Sequence, residues 1–181
     1  MIAALLFATS MVVGKPAPAW PEVRWAQGGP LTLAGLRGKV ALVRFFTDPD
    51  CPYCSATAPV LNELHDELGS RGLVVVGFYT PKPGPRATPV GHVRKVARRY
   101  GFSFPVAVDD EWKVLRRLWL DHAESGWTSA SLLIDRKGIV RHVHPGGAFA
   151  KGSPDPESRR AYAEMREAIE SLLAEPREAL P

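Results

Sequence analysis

Cys51 and Cys54 are the only cysteines in the 181-residue chain, and Pro52 and Tyr53 lie between them. Two thiols at this spacing can close a small disulfide ring and open it again, so the pair reads as a dithiol redox site. The nucleophile in such chemistry is the thiolate, and the orphan amides and positive dipole end of a helix N-terminus favour thiolate over thiol. The order of residues fits that placement. Pro52 suits the first helical position, where its missing N–H costs nothing. Cys51 is thereby expected to attack, and Cys54, one turn further in, to resolve the mixed disulfide. A static disulfide or half of a zinc site would use the same two residues. Zinc would want further thiolates, and none exist, although five histidines could still contribute.

The flanking sequence supplies the elements that position the pair. Val40 to Phe46 reads as a mostly buried strand, and Ala58, Leu61, Leu64, His65 and Leu68 recur at helical spacing. Gly72 to Tyr79 is a continuous apolar run expected to be a second buried strand, parallel to the first across a right-handed crossover. The proline-rich stretch 81–89 follows its carboxyl end, the edge where α/β sheets bind ligands, and serves either as a wall of the thiol site or as a rigid connector. A helix is expected from near Val90, then another from Trp112 to Trp119. Strands Ser131–Ile134 and Ile139–His144 should be joined by a tight turn at Asp135-Arg136-Lys137-Gly138. Asp155-Pro156-Glu157 opens a last helix, with an N-cap, a proline and a first-turn acid. Its apolar face is Tyr162, Met165, Ile169 and Leu172.

The stretch from Cys51 to Leu64 resembles the active-site helix of the thioredoxin superfamily, including a proline, Pro59, five residues after the second cysteine. Gly14 to Trp20, Leu36 to Val40, Phe104 to Asp109 and Leu132 to Val140 are similar to the corresponding parts of TlpA/ResA-like thiol-disulfide oxidoreductases and the related redoxin group. The resemblance runs from about residue 14 to the last helix. It implies an α/β, thioredoxin-like fold with a central mixed sheet flanked by helices and an N-terminal extension. It implies disulfide exchange with protein thiols, a redox-recycling partner and no dissociable cofactor or metal. It also places the terminal hairpin antiparallel to the active-site strand, which brings Thr128-Ser129 and His144 to Gly147 toward the cysteines. Thr128 would then offer backbone hydrogen bonds to a substrate chain. Two neighbouring classes stay in view. A redoxin-type thiol peroxidase would oxidise Cys51 to a sulfenic acid, but the segment before Cys51 lacks the Pro-x-x-x-Thr-x-x-Cys pattern. A copper-binding thioredoxin-like chaperone would use both sulfurs and a histidine, but such proteins place three residues between the cysteines.

Three features depart from that pattern or load the site with charge. Arg44 stands where thioredoxins carry a buried acid. It is expected to be a paired structural ion, because buried charges need partners, and otherwise to favour thiolate electrostatically. Asp48 and Asp50 precede Cys51 and would oppose its ionisation if they were near it. Ser129 occupies the place of the cis-proline that faces the dithiol in thioredoxins. A cis bond before serine costs about 2.5–4 kcal/mol, so the Thr128–Ser129 peptide is expected to be trans. His142 and His144 share one face of the last strand by period two and read as surface residues rather than metal ligands.

Composition fits a chain able to build a sizeable core: hydrophobic residues make up 45% and the net charge is +4. Arg94, Lys95, Arg98 and Arg99 read as a solvated helix face, so no nucleic-acid partner is expected. Residues 1–13 form an apolar segment, too short to span a bilayer and close to a signal-peptide core in length but without a basic lead. The expected organisation is this segment, a thioredoxin-like domain over 14–175 and a tail over 176–181. The expected location is exported or periplasmic with a possible tether, the alternative being cytoplasmic.

Overall fold

A computed structural model describes residues 11–123 and 125–176; most of the apolar N-terminal segment and most of the tail lie outside the described residues. Six strands form one mixed sheet in the order β1-β4-β3-β2-β5-β6. They are β1 (Arg24–Gln27), β2 (Val40–Phe46), β3 (Leu73–Tyr79), β4 (Val106–Val108), β5 (Ser131–Ile134) and β6 (Val140–His144). The helices are α1 (Pro52–Leu68), α2 (Val90–Arg99), α3 (Lys113–Leu115) and α4 (Pro156–Ala174). Strands β2 and β3 pair in parallel, with Val40 opposite Leu73 and Phe46 opposite Tyr79. On its other side β2 pairs antiparallel with β5, placing Arg44 opposite Ser131.

All seven residues of β2 are buried, and their alternation sorts them between two cores. Val40, Leu42 and Phe46 face Leu61 and Leu64 of α1, Val93 and Ala97 of α2, and Met165 and Ile169 of α4. Ala41, Val43 and Phe45 face Trp20, Leu33 and Leu36 of the lead-in, together with Val114, Leu115, Leu118 and Trp119. By the same alternation Arg44 points to the side of α1 and α4. The reading of Trp112 to Trp119 as one helix needs correction. Trp112 has a left-handed backbone (φ 59°), and α3 passes into a π-turn over Arg116–Leu120. Arg94 is not simply a solvated charge either, since its Nε donates to the Ala26 carbonyl at 3.0 Å and ties α2 to β1.

Local chemistry sets the ends of the elements around the site. At the start of α4, the Asp155 carboxylate accepts from the amides of Glu157 and Ser158, as its N-cap position requires. The β5–β6 turn rests on Asp135, whose Oδ1 accepts from the amides of Lys137 and Ile139, and on Gly138 at φ 78°. Ile169 is fully buried where α4 meets the sheet. Truncation to alanine there should cost about 2–5 kcal/mol in urea-induced unfolding, and a loss under about 1 kcal/mol would contradict the packing of α4.

Candidate active site

The turn after β2 delivers Cys51 to the N-cap of α1. Its amide donates to the Asp48 carbonyl at 3.0 Å, and its backbone is extended (φ −75°, ψ 109°). The Cys51 sulfur accepts the Cys54 amide at 3.3 Å, taking the place a serine or aspartate oxygen fills in an ordinary cap. Pro52 holds the first helical position. Both cysteines are free; Cys51 is half-buried and Cys54 is buried. The two thiols are therefore unlike. Cys51 is pulled down to about 6 from its ordinary value, first by the hydrogen bond from the Cys54 thiol, then by the Cys54 amide and the positive charge of Arg44, against the opposing effect of its own burial. Cys54 is pushed up, because it donates the hydrogen bond that Cys51 accepts and because it is buried. One sulfur is a thiolate at neutral pH and its neighbour keeps the proton.

A cleft of about 340 Å³ opens onto the pair, lined by Thr47, Thr80, Lys82, Trp127, Thr128 and Ser129 beside Tyr53 and the sulfurs. The Thr128-Ser129 segment reaches it through tertiary anchors. The Phe45 amide donates to the Ala130 carbonyl at 3.0 Å, and the Trp119 indole donates to the Trp127 carbonyl at 2.9 Å. Gly146 makes room, because a Cβ there would lie 2.6 Å from that of Trp127. Among the described residues the cis peptide bonds are Gly29–Pro30 and Lys82–Pro83, so Thr128–Ser129 is trans, as peptide energetics require. The Ser129 hydroxyl accepts from the Gly147 amide at 3.4 Å, which ties the two loops that topology was expected to bring together. Tyr53 and Trp127 are 43% and 47% exposed, and their rings meet edge to face at 5.6 Å on the rim of the cleft.

The charged residues are arranged differently from expectation. Arg44 is fully buried, but it is not a structural ion pair: no carboxylate bridges to it among the described residues. Its guanidinium donates to Ser131 Oγ at 3.1 Å and to the Gly147 carbonyl at 3.2 Å, and it lies over the Phe149 ring. Its charge acts chiefly on Cys54 and then on Cys51. Asp48 is occupied elsewhere. Its two oxygens take the Tyr79 hydroxyl and His92 Nε2, each at 2.7 Å. Asp50 is exposed at the loop tip, and neither acid ranks among the leading influences on Cys51. His142 and His144 are half-buried rather than on an open surface. His144 packs on Phe149 with Nδ1 unpartnered, and burial, with the nearby charge of Arg44, takes it down to about 3. Sequence reasoning did not single out Trp127, Lys82 or the Tyr79–Asp48–His92 cluster. Trp127 adjoins Thr128, which was the available signal. The cluster draws on three separate elements and carries no local spacing.

A profile of the redoxin family matches residues 12–157. The chain belongs to the redoxin family. Among redoxin-family relatives, the thiol-disulfide oxidoreductase ResA of Bacillus anthracis is 28% identical over 130 residues, 72% of this chain and 68% of ResA. The protein DipZ of Mycobacterium tuberculosis is 33% identical over 114 residues, which cover 63% of this chain. The chain spans only 15% of the length of DipZ. The fold is shared with a thiol:disulfide interchange protein of the thioredoxin family from Chlorobium tepidum, at TM-score 0.64 and 21% identity over 89% of this chain and 97% of that one. It is also shared with an uncharacterized conserved protein from Geobacillus kaustophilus, at TM-score 0.71 and 19% identity over 94% and 87%. This redoxin therefore groups with thiol-disulfide oxidoreductases, and its fold is thioredoxin-like.

The contrast between the two sulfurs is measurable. In the reduced protein the rate of alkylation by iodoacetamide should rise with pH through a single midpoint near 6, at Cys51 alone. A midpoint at or above the unperturbed thiol value of about 8.5 would contradict the geometry at the helix start.

Proposed function

We propose that the protein exchanges disulfides with protein thiols through the Cys51–Cys54 pair, with Cys51 as the attacking sulfur and Cys54 as the resolving one. The observation that carries this reading is the asymmetry of the pair. Cys51 is reachable from the cleft and held as thiolate by the helix start, while Cys54 lies buried behind it with its proton. A partner's disulfide meets the Cys51 thiolate, a mixed disulfide forms, and Cys54 closes the intramolecular bond and releases the partner's second sulfur. The reverse sequence transfers a disulfide outward.

The cleft supports a protein substrate. The exposed rings of Tyr53 and Trp127 give a partner chain apolar surface beside the sulfur, and the Trp127-Thr128 backbone runs along the same rim. Pro52 and Ser129 shape the two sides of the approach. The names of ResA and of the Chlorobium protein point to the same chemistry. A redox partner must recycle the pair. The apolar run within residues 1–13 supports a place outside the cytoplasm, with that segment as export signal or tether. No helix among the described residues is long and apolar enough to cross a membrane.

Trapping tests the division of labour. Cys54→Ser should accumulate a mixed disulfide through Cys51 when mixed with oxidised glutathione or a disulfide-bonded protein, seen as a mass increment that a reductant removes. Cys51→Ser should trap nothing. Equal trapping by the two variants would show that the assignment is wrong.

A further inference from the structure

The exchange chemistry proposed above runs in either direction, and the surroundings of the sulfurs decide which. A guanidinium stays protonated at any pH a protein meets, so Arg44 is a permanent positive charge, and it sits at 0% exposure. A buried charge with no counter-ion is costly. The groups that face it are few. Ser131 Oγ from β5 and the Gly147 carbonyl each accept one hydrogen bond, and both are neutral. Phe149 offers a ring face, and the Arg44 Nε has no hydrogen-bond partner among the described residues. From β6, His144 is held neutral by burial and by Arg44 itself. Tyr100, after α2, has its hydroxyl bonded to the Thr47 carbonyl, and burial pushes its ionisation up. From α1 come Cys54 and Cys51. Asp48, the nearest acid in sequence, is committed to Tyr79 and His92. Lys82 also bears on the sulfurs, but it stands exposed at the rim, where water screens it.

We propose that the reduced cysteine pair is itself the counter-ion of Arg44, and that Arg44 thereby sets the direction of transfer, making the protein a disulfide donor that oxidises substrate thiols. The charge count carries this. In the reduced protein the hydrogen-bonded sulfurs carry one negative charge, and it acts on the guanidinium. In the disulfide form that charge is gone and Arg44 is buried without an anion. Arg44 therefore stabilises the reduced form selectively, and a dithiol stabilised when reduced is a strong oxidant when oxidised.

The transfer balances. A substrate thiolate attacks Cys51 Sγ, the Cys51–Cys54 bond breaks, and Cys54 leaves as a thiolate facing Arg44. A second substrate thiolate attacks the substrate sulfur of the mixed disulfide, forms the substrate disulfide and releases Cys51. Two electrons pass from substrate to protein. Of the two substrate protons, one ends on Cys54 and the other goes to solvent. Arg44 touches neither the substrate nor the transferred electrons' new bond, and acts through the sulfurs as a positioning charge.

The test is the equilibrium of the Cys51–Cys54 disulfide with glutathione, and with a reduced dithiol peptide, for the full chain, Arg44→Met and Arg44→Lys. Arg44→Met should shift the constant tenfold or more toward the protein disulfide, a potential lower by about 30 mV, and it should oxidise the peptide correspondingly less far. Arg44→Lys should stay near wild type. An unchanged constant in a folded Arg44→Met, or a shift the other way, would overturn the inference. Should Arg44→Met not fold, the wild-type pH dependence decides. Glutathione takes up two protons with its two electrons at about pH 7–8, so a protein pair that takes up only one changes the constant tenfold per pH unit, its own potential falling by about 30 mV, and supports it; a constant that does not change with pH, the protein potential falling by about 59 mV per unit as that of glutathione does, means that both thiols are neutral and refutes it. A wild type that reaches no equilibrium with glutathione would refute the exchange reading and this inference together, whereas exchange without an Arg44 effect would refute the inference alone.

Discussion

A positive charge enclosed by protein must meet a negative one or be compensated by dipoles, and in this redoxin the charge at Arg44 meets sulfur. The neutral acceptors on Arg44 satisfy two of its donors, and the aromatic ring of Phe149 covers one face. The anion that would complete the arrangement exists only while the cysteines are reduced. Much of the nearby architecture follows from keeping that charge dry. Strand β2 is buried along its whole length, α4 covers the same face of the sheet, and the loop after β6 turns in to place the Gly147 carbonyl and Phe149 against the guanidinium.

The helix start and the buried charge act on different atoms. The N-terminus of α1 holds Cys51 from the front, through the Cys54 amide, while Arg44 lies behind and bears first on Cys54. With both in place the pair shares one proton unequally, so the exposed sulfur is nucleophilic and the buried one is a reserve. The tether between the loops at Ser129 and Gly147 links the rim of the cleft to the carbonyl that holds Arg44. Substrate-facing backbone and charge-holding backbone are therefore parts of one hydrogen-bonded unit.

Much of this was legible in the sequence because it is local. The C-x-x-C pair, the proline after it, the apolar run of β2 and the Asp155 cap each announce an element within a few residues, and the structure has them where the spacing puts them. The antiparallel placement of β5 against β2 came from family resemblance, and pairing of Arg44 with Ser131 confirms it. What could not be read is the identity of partners across the fold. Arg44 was expected to be a paired structural ion, or otherwise to favour thiolate, since sequence gives burial but not neighbours; Asp48 was expected to oppose the ionisation of Cys51 if the two were near, and nearness in sequence does not reveal that Tyr79 and His92 hold it. The π-turn after α3 is invisible for a similar reason, because Trp112 to Trp119 has ordinary helical periodicity, and what distinguishes it is tertiary: Leu118 and Trp119 lie buried in the second core.

The central claim is that the folded protein favours its reduced, charged dithiol over its disulfide, and comparing the unfolding of the two forms tests it most directly. A thiol whose pKa is depressed on folding contributes stability that is complete above the unfolded value of about 8.5 and is lost as pH falls through its folded value. For Cys51 that folded value is about 6. Urea unfolding of the reduced and oxidised forms should therefore show the reduced form to be the more stable near pH 8.5, with the margin narrowing as pH falls toward 6. An oxidised form that is the more stable across that whole range, by a margin independent of pH, would contradict the account.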